Sequence, residues 1–562
     1  MRGNATRYLP AATLVAVLLV VAEFVRFGVP GYRSLAAAVP VVFALMVAGT
    51  LVAVLRNEVG ISTFGVFGPV IFAYAWLALG PVWGAAVVLY VFAVAMVTRF
   101  AVEPLDVGTP HRMAVVLVTV GVAVFAVAAI GRLEAVGGFG AAVLFPVLLA
   151  AWYGDRFVGQ VYDVGWSRAG RRLGWTFVVV SLAYLVISYE PFMGWFAATP
   201  EAWVALVALN LLLGETTTVR VGELLRFGTL RRSLRGGGSP ADVLTMRVRN
   251  REFVARYNPR YLLASLDKAR AKDHLEALGV PTPETYAVVT DESQLGELRA
   301  LLEHESDLVI KPADGRGGEG IVVVTGREGD RLVTSRGLTT VDALVEYVRS
   351  VVQGRYATGY DTRGSVLVEE RVEPDGLLAD LAGSGVPDVR VVVLEGYPVM
   401  AMARLPTRAS GGTANLHGGA VGVSVDIADG TTGRAYQQTT DRWLEVHPDT
   451  GAALSGVAVP DWEAVLETAS RAASASHLGY AGVDVVFDAE RGPLVLEVNR
   501  RPGLGIQNVN LAGLLGRLRF VEVERDPTPC SAAEKVRRAR EWHRLGWGAA
   551  PPVAPGSAGV TA

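Results

Sequence analysis

A lysine followed by a run of glycines is the first feature that carries chemistry. Leu308-Val309-Ile310-Lys311 reads as a strand entering Pro312-Ala313-Asp314-Gly315-Arg316-Gly317-Gly318-Glu319-Gly320, with a second strand, Ile321–Val324, beyond it. Gly315, Gly317, Gly318 and Gly320 leave backbone N–H groups unobstructed, so such a loop can close over phosphates. It is not a P-loop, because neither Gly-Lys-Ser/Thr nor a helix follows. Lys311 adds a compact point charge of the kind that holds a phosphate. Lysine is scarce here: Lys268, Lys272, Lys311 and Lys535 stand among 52 basic residues, the rest arginine. Where arginine serves almost everywhere, lysines kept at 268 and 311 point to sites that need an ammonium. Lys272 reads as incidental.

Acidic residues inside apolar strands come next. Val366-Leu367-Val368-Glu369-Glu370-Arg371-Val372 is a strand running into a hinge whose backbone can read an adenine edge. Gly482-Val483-Asp484-Val485-Val486 and Leu496-Glu497-Val498-Asn499 each set a carboxylate in an apolar strand, and Glu497 and Asn499 share one face at period two. A buried carboxylate needs a partner. Asp484, Glu497 and Asn499 together offer the oxygen ligands that suit Mg²⁺, with Mn²⁺ as an alternative. Neutralising Asp484 or Glu497 is therefore expected to remove turnover and to leave the fold intact.

These residues need strands and helices to hold them, and the second half supplies both. Strands are expected at 309–311, 321–325, 366–370, 389–394, 399–404, 483–487 and 494–498. Helices are expected at 267–279, 291–304, 339–353, 461–477 and 531–545. The first half differs in kind. Residues 1–215 hold 22 charged residues, and the whole 562-residue chain has a mean hydropathy of +0.36. Candidate spans lie at 9–28, 35–55, 64–80, 83–101, 113–131, 139–154, 175–190 and 201–215, seven or eight helices. Arginines crowd one set of connecting segments, against Arg26, Arg33 and Arg132 on the other, which places both termini in the cytoplasm. Asp155 and Arg156 read as the end of the sixth span, the loop 154–174 as the longest cytosolic one, and no broken-helix pair is evident. A net charge of −2 argues against nucleic acid as a partner, and the single Cys530 excludes a disulfide scaffold or thiolate cluster.

The order Lys268, Lys311 with its glycine loop, Glu370, Asp484, then Glu497-x-Asn499 resembles the ATP-grasp superfamily over roughly 245–520. It is most similar to the alpha-L-glutamate-ligase-like, sugar-transfer-associated branch. That likeness rests on Arg249-Asn250-x-x-Phe253, Tyr257-Asn258-Pro259-Arg260, Asn415-Leu416-His417-Gly418-Gly419-Ala420 and Val498-Asn499-Arg500-Arg501-Pro502-Gly503. Arg500-Arg501 and the 373–387 insertion depart from ribosomal-protein glutamate ligases. Residues 61–228 resemble a seven-helix membrane domain associated with ATP-grasp and transglutaminase-like partners. The likeness there rests on Ser62–Val70, Asp155-Arg156 and Arg220–Phe227.

The resemblance implies a multi-domain chain: an all-α polytopic membrane domain at 1–228, a linker at 229–240, an α+β ATP-grasp domain at 241–525, and a terminal helix and tail at 526–562. It implies an ATP-dependent carboxylate–amine ligase of the cytoplasmic membrane, its catalytic domain in the cytoplasm. ATP and Mg²⁺ would serve an acyl-phosphate route that adds glutamate or another amino acid to an envelope acceptor. Lys268, Lys311, the four loop glycines, Glu369, Glu370, Arg371, Val372 and Asp388 would bind nucleotide. Asp484, Glu497 and Asn499 would bind metal. Arg404, Arg390, Asn415 and His417 would serve catalysis, with membrane lipid and a transglutaminase-like protein as partners. A phosphotransferase, or the nucleotide-sensing module of a transporter, is the alternative.

Overall fold

The computed structural model describes residues 2–32, 34, 39–102, 109–130, 141–164, 166–216, 221, 223, 227, 228, 242–259, 268–313, 320–353, 364–374, 376–526 and 528–547. The chain divides into two compact units after Leu225. The first is helical: α1 (Arg2–Gly28), α2 (Pro40–Val54), α3 (Phe67–Leu79), α4 (Pro81–Val102), α5 (Thr109–Ile130), α6 (Ala141–Val164), α7 (Trp166–Ile187), α8 (Glu190–Ala198) and α9 (Pro200–Thr216). Four helices among the described residues are long and apolar enough to cross a membrane, and α8 with α9 forms a further candidate bent by 98°.

Three expectations for this unit change. The segment 154–174 is no loop: α6 and α7 run through it, leaving Gly165 alone outside the described residues. The segment has no proline, and its arginines are good helix formers, so helix continues on both sides of Gly165. Asp155 accordingly lies inside α6, buried between Arg99 of α4 (3.2 Å) and Arg112 of α5 (3.3 Å). A broken pair also exists, since Pro200 disfavours helical backbone at Thr199 and starts a new helix beyond it.

The second unit is built on two antiparallel sheets. One has six strands in the order β1-β6-β2-β3-β4-β5: β1 (Thr285–Val289), β2 (Leu308–Pro312), β3 (Val322–Glu328), β4 (Arg331–Thr334), β5 (Gly337–Thr339) and β6 (Val366–Glu370). The other has seven in the order β11-β10-β9-β8-β7-β12-β13: β7 (Asp388–Leu394), β8 (Tyr397–Leu405), β9 (Val421–Val425), β10 (Thr432–Gln437), β11 (Arg442–Leu444), β12 (Tyr480–Asp488) and β13 (Gly492–Asn499). Helices α10 (Lys268–Ala277), α11 (Leu295–His304), α12 (Val341–Val352), α13 (Trp462–Ala475), α14 (Leu515–Glu524) and α15 (Ala532–Arg544) accompany them.

Period-two alternation explains how the larger sheet presents chemistry. Val389, Val391, Ala401, Ala403, Val483 and Val485 point into one core, together with Val465, Leu466, Ala469 and Ala472 of α13. The intervening positions of β7, β8 and β12, among them Asp388, Arg390, Arg404 and Asp484, are thereby turned to the opposite face. The smaller sheet buries Leu308, Ile310, Val322, Val324, Val366 and Val368 against α11 and α12. The two sheets meet where Val372, just past β6, packs on Val486 and Leu494, and where Arg491 pairs with Glu370 at 2.5 Å.

Candidate active site

The first polar cluster sits on the smaller sheet. Glu369 of β6 lies opposite Val309 of β2, and Lys311 is two residues further along on the same face, so the two side chains meet diagonally. Lys311 Nζ donates to Glu369 Oε2, and Lys272 of α10 donates to Glu369 Oε1 at 2.5 Å. Glu369 is 2% exposed, an environment that disfavours a lone charge. Burial opposes its ionisation, but Lys311 and Lys272 together outweigh burial and hold the carboxyl below the usual range. Burial pulls Lys272 down from the ordinary lysine range, with Glu369 resisting. Lys311 and Lys272 thus converge on one carboxylate, at a place where a phosphate could also sit.

Lys272 is the residue that sequence reasoning missed. It is buried and paired, not incidental. The available signal was spacing: Lys268 and Lys272 stand one helical turn apart on a helix that opens at Lys268. The Lys268 side chain, and Gly315, Gly317 and Gly318 with the rest of 314–319, lie outside the described residues. Gly320 is described, and its φ of +79° suits glycine. A Cβ there would stand 2.7 Å from Pro312 Cγ.

The hinge is partly committed to the sheet. Glu370 N donates to Glu284 O at 2.9 Å, and its carboxylate accepts from Glu284 N at 2.9 Å. Arg371 pairs with Asp307 and, at 3.0 Å, with Glu373. Val372 is buried.

The second cluster is a checkerboard of charges on the larger sheet. Asp484 of β12 is directly opposite Arg390 of β7 on one side and Glu497 of β13 on the other. Asp388, two residues before Arg390, is opposite Arg404 of β8. Arg390 Nε donates to Asp484 Oδ1 (2.6 Å) and its Nη2 to Oδ2 (2.5 Å). Arg404 Nε donates to Asp388 Oδ1 (2.6 Å), and its Nη2 reaches both Asp388 and, at 2.9 Å, Asp484 Oδ2. Asn499 Nδ2 donates to Asp484 Oδ2 at 3.1 Å. Asp388 and Asp484 are 2% and 3% exposed.

Burial and pairing divide these two carboxyls. For Asp484, burial opposes ionisation, but Arg390 and Arg404 outweigh it and depress the group. For Asp388, burial prevails over Arg404 and is reinforced by Asp484, so the carboxyl is pushed up to about 6. Asp388, expected beside the nucleotide, is thus the bidentate partner of Arg404.

Asp484, Glu497 and Asn499 do come together on adjacent strands. Among the described residues no cluster of three or more His, Cys, Asp or Glu could hold a metal; this set has two carboxylates and an amide. Its donors, two carboxylates and an amide carbonyl, are hard oxygens. The set fits Mg²⁺.

Asn415 and His417 belong to the turn before β9. Asn415 Oδ1 accepts from His417 N at 3.0 Å, and Asn415 O accepts from Gly418 N and Ala420 N. Leu405 pairs with Val421, so this turn emerges at the end of β8 that carries Arg404.

Residues 248–523 match the family model of the sugar-transfer-associated ATP-grasp domain. This half of the chain belongs to that family. Residues 33–231 match a model described as seven transmembrane helices usually fused to an inactive transglutaminase. In this chain the ATP-grasp half follows those helices, which makes it an ATP-grasp ligase joined to a membrane domain.

Two curated relatives are probable alpha-L-glutamate ligases. One, from Xanthomonas oryzae pv. oryzae (strain MAFF 311018), is 28% identical over 289 residues, 50% of this chain and 74% of the relative. The other, from Xanthomonas axonopodis pv. citri (strain 306), is 28% identical over 278 residues, 49% and 70% respectively. The solved D-cycloserine synthetase DcsG is 16% identical, with a TM-score of 0.28 over 56% of this chain and 94% of that one.

Proposed function

We propose that the chain is a membrane-tethered carboxylate–amine ligase that works through an acyl phosphate, adding glutamate or another amino acid to an envelope-associated acceptor. The observation that carries this reading is Arg404, whose guanidinium spans Asp388 and Asp484 beside an oxygen-donor set. In the ligase reaction a carboxylate oxygen attacks the γ-phosphorus, the bond to the β–γ bridging oxygen breaks, and ADP leaves. An amine nitrogen then attacks the acyl carbon, and phosphate departs as the C–O bond breaks.

The chain's residues suit both steps. Lys311, Lys272 and Lys268 would hold the α and β phosphates, and the glycine loop would close over them. Glu369, Glu370, Arg371 and Val372 border the nucleotide. Arg404 and Arg390 would face the transferring phosphoryl group, where preorganised guanidinium groups stabilise developing charge. Asn415 and His417 would orient the acceptor. Mg²⁺ or Mn²⁺ on Asp484, Glu497 and Asn499 would supply charge neutralisation at the phosphate oxygens when bound. The reading places the protein in the cytoplasmic membrane, its ATP-grasp half in the cytoplasm, with a transglutaminase-like protein as partner.

A second reading has specific support. The buried Arg99–Asp155–Arg112 cluster and the bent α8–α9 pair are features of membrane proteins that move solutes, in which the ATP-grasp half would report nucleotide. Incubating the full-length protein with ATP, Mg²⁺, candidate acids and hydroxylamine separates the readings. ADP with a hydroxamate supports the ligase. A stable phosphorylated product means a phosphotransferase, and nucleotide binding without turnover means a sensor.

A further inference from the structure

Two histidines that none of the chemistry above uses meet at the surface of the ATP-grasp half. His274 lies in the last turn of α10, and His477 follows the end of α13. Their Nε2 atoms are 3.2 Å apart and their ring centroids 5.2 Å, so the rings face each other through those nitrogens. Both side chains are exposed. They stand 203 positions apart in the chain, and only tertiary packing brings them together.

That packing is well fixed. Leu275, next to His274, shares a core with Val280, Ala472, Ala473 and Leu478. Arg471 Nη2 of α13 donates to Gly279 O, in the turn that follows α10, at 2.6 Å. His477 itself has a φ of +52°, in the left-handed position that closes a helix and that glycine or asparagine ordinarily fills. The turn after α10 does use glycine, Gly279 at +65°. At the end of α13, His477 N donates to Ser474 O (3.0 Å) and Leu478 N to Ala473 O (3.2 Å). A side chain with a β-carbon is strained in that conformation, so the chain carries a backbone cost at the position that brings an imidazole to His274.

The gap between the rings suits a cation. At 3.2 Å the two nitrogens cannot both carry protons, so at least one lone pair points into the gap. When the donor ring takes its Nδ1–H tautomer, both lone pairs do, and no proton is released. The separation is close to the edge of a tetrahedron of zinc ligands, about 3.3–3.4 Å for Zn–N bonds of about 2.0–2.1 Å. Helices α10 and α13 both end here, and the last carbonyls of a helix carry partial negative charge. Among the described residues no third His, Cys, Asp or Glu joins the pair, so water fills the other positions around an ion.

We propose that His274 and His477 form a two-histidine site for a divalent transition-metal ion, Zn²⁺ in the first place, that bridges α10 to the end of α13. Neutral imidazole suits Zn²⁺ and Cu²⁺, whereas Mg²⁺ takes oxygen. The site therefore differs in kind from the set of Asp484, Glu497 and Asn499. The bridged helix also carries Lys272, which donates to Glu369, so the ion would hold in place the element that delivers this ammonium.

The test uses untagged full-length protein in detergent micelles, titrated calorimetrically with Zn²⁺ in excess Mg²⁺, which competes for the oxygen-donor set. Wild type is compared with His274→Ala and with His477→Asn, a residue that tolerates the left-handed backbone. The control is His304→Asn, at the exposed end of α11. Expected is one Zn²⁺ per chain that persists in Mg²⁺ for wild type and control. Each of the other two variants should bind it about tenfold or more weakly, at least what removing an outer-shell partner of a metal ligand costs. Unchanged binding in either His274→Ala or His477→Asn overturns the bridge, and so does an equal loss in His304→Asn. A wild type that binds no Zn²⁺ overturns it too, and reduces the contact to a hydrogen bond between imidazoles. If a variant fails to run as a single species, electron paramagnetic resonance of the wild type with one Cu²⁺ per chain decides: two nitrogen ligands support the site, and one or none overturns it.

Discussion

Arg390 lies directly across the ladder from Asp484 and holds both of its carboxylate oxygens, at 2.6 and 2.5 Å. The carboxylate best suited to a metal is therefore also the anchor of a buried guanidinium pair. Asp484→Asn should then do more than remove metal affinity. It leaves Arg390 without its bidentate partner and Arg404 with one carboxylate instead of two, so destabilisation of about 3–5 kcal/mol is expected. This reverses the expectation that the fold would be indifferent. Denaturant unfolding of the variant, alongside its ADP release, checks both effects. Unchanged stability would show the pairing to be energetically idle.

Arg404→Lys should be nearly as harmful as Arg404→Ala. Its planar fork reaches Asp388 through two nitrogens while also touching Asp484, which a single ammonium cannot do. Turnover with saturating ATP is the measurement, and a lysine variant within a few-fold of wild type would remove the geometric argument.

Asp388 sets a pH dependence. Its folded-state value of about 6 lies above the ordinary aspartate range, so the folded state holds this proton more tightly than the unfolded chain. Its contribution to stability is thus fullest below the unfolded value near about 4 and is lost as pH rises through about 6. Asp484, depressed by its arginines, works in the opposite sense and loses its contribution only at lower pH. Activity should rise with an inflection near the Asp388 value, because the ionised form holds Arg404 in place. Asp388→Asn should flatten that limb of the pH–rate profile; a persistent inflection would assign it to another group.

Lys272→Met should weaken ATP binding by about tenfold or more, as loss of one charge-assisted contact implies. Lys311→Arg should also weaken it, although charge is kept. Glu369→Gln acts differently, since it leaves two ammonium groups buried together without their shared carboxylate. Its cost should appear first in stability. Calorimetric titration of ATP into each variant, paired with its unfolding midpoint, distinguishes the two patterns.

The strands that carry the site were legible because they are apolar runs with turn residues at their borders. β2, β6, β7, β8 and β13 fall within one or two residues of the expected spans, and β12 begins three residues earlier than expected. Several of the strands that escaped are short, polar or at an edge, such as Gly337–Thr339 and Arg442–Leu444, where alternation has no length in which to show; Val421–Val425, apolar and interior, escaped as well. Residue types were readable too, but pairings were not. Arg390 and Asp484 are 94 positions apart, and Lys272 and Glu369 are 97 apart. Only the register of β7 on β12, and the position of α10, bring them together. In the helical half, composition pointed to apolar helices, of which four among the described residues are long enough to span, but hid their ends, because arginines that orient a membrane protein are equally at home inside a helix.

The division after Leu225 bears on how the ATP-grasp half should be isolated. Phe227 is 1% exposed and packs with Val243, Leu244 and Phe253 in a core of the second unit. A fragment starting at residue 241 removes that ring and leaves a cavity, at a cost of about 3–5 kcal/mol by analogy with Phe→Ala truncations in cores. A fragment of residues 226–562 should therefore unfold at a clearly higher denaturant concentration than one of residues 241–562, while both bind ATP. The longer fragment then allows a fair test of the tether. Four spanning helices among the described residues, or five with the bent α8–α9 pair, exceed what anchoring needs, so the helices should present or dock a membrane-bound acceptor, and fragment 226–562 should bind ATP normally yet lose activity on that acceptor in membranes. Equal activity of the fragment and the full-length chain on it would reduce the helical half to an anchor.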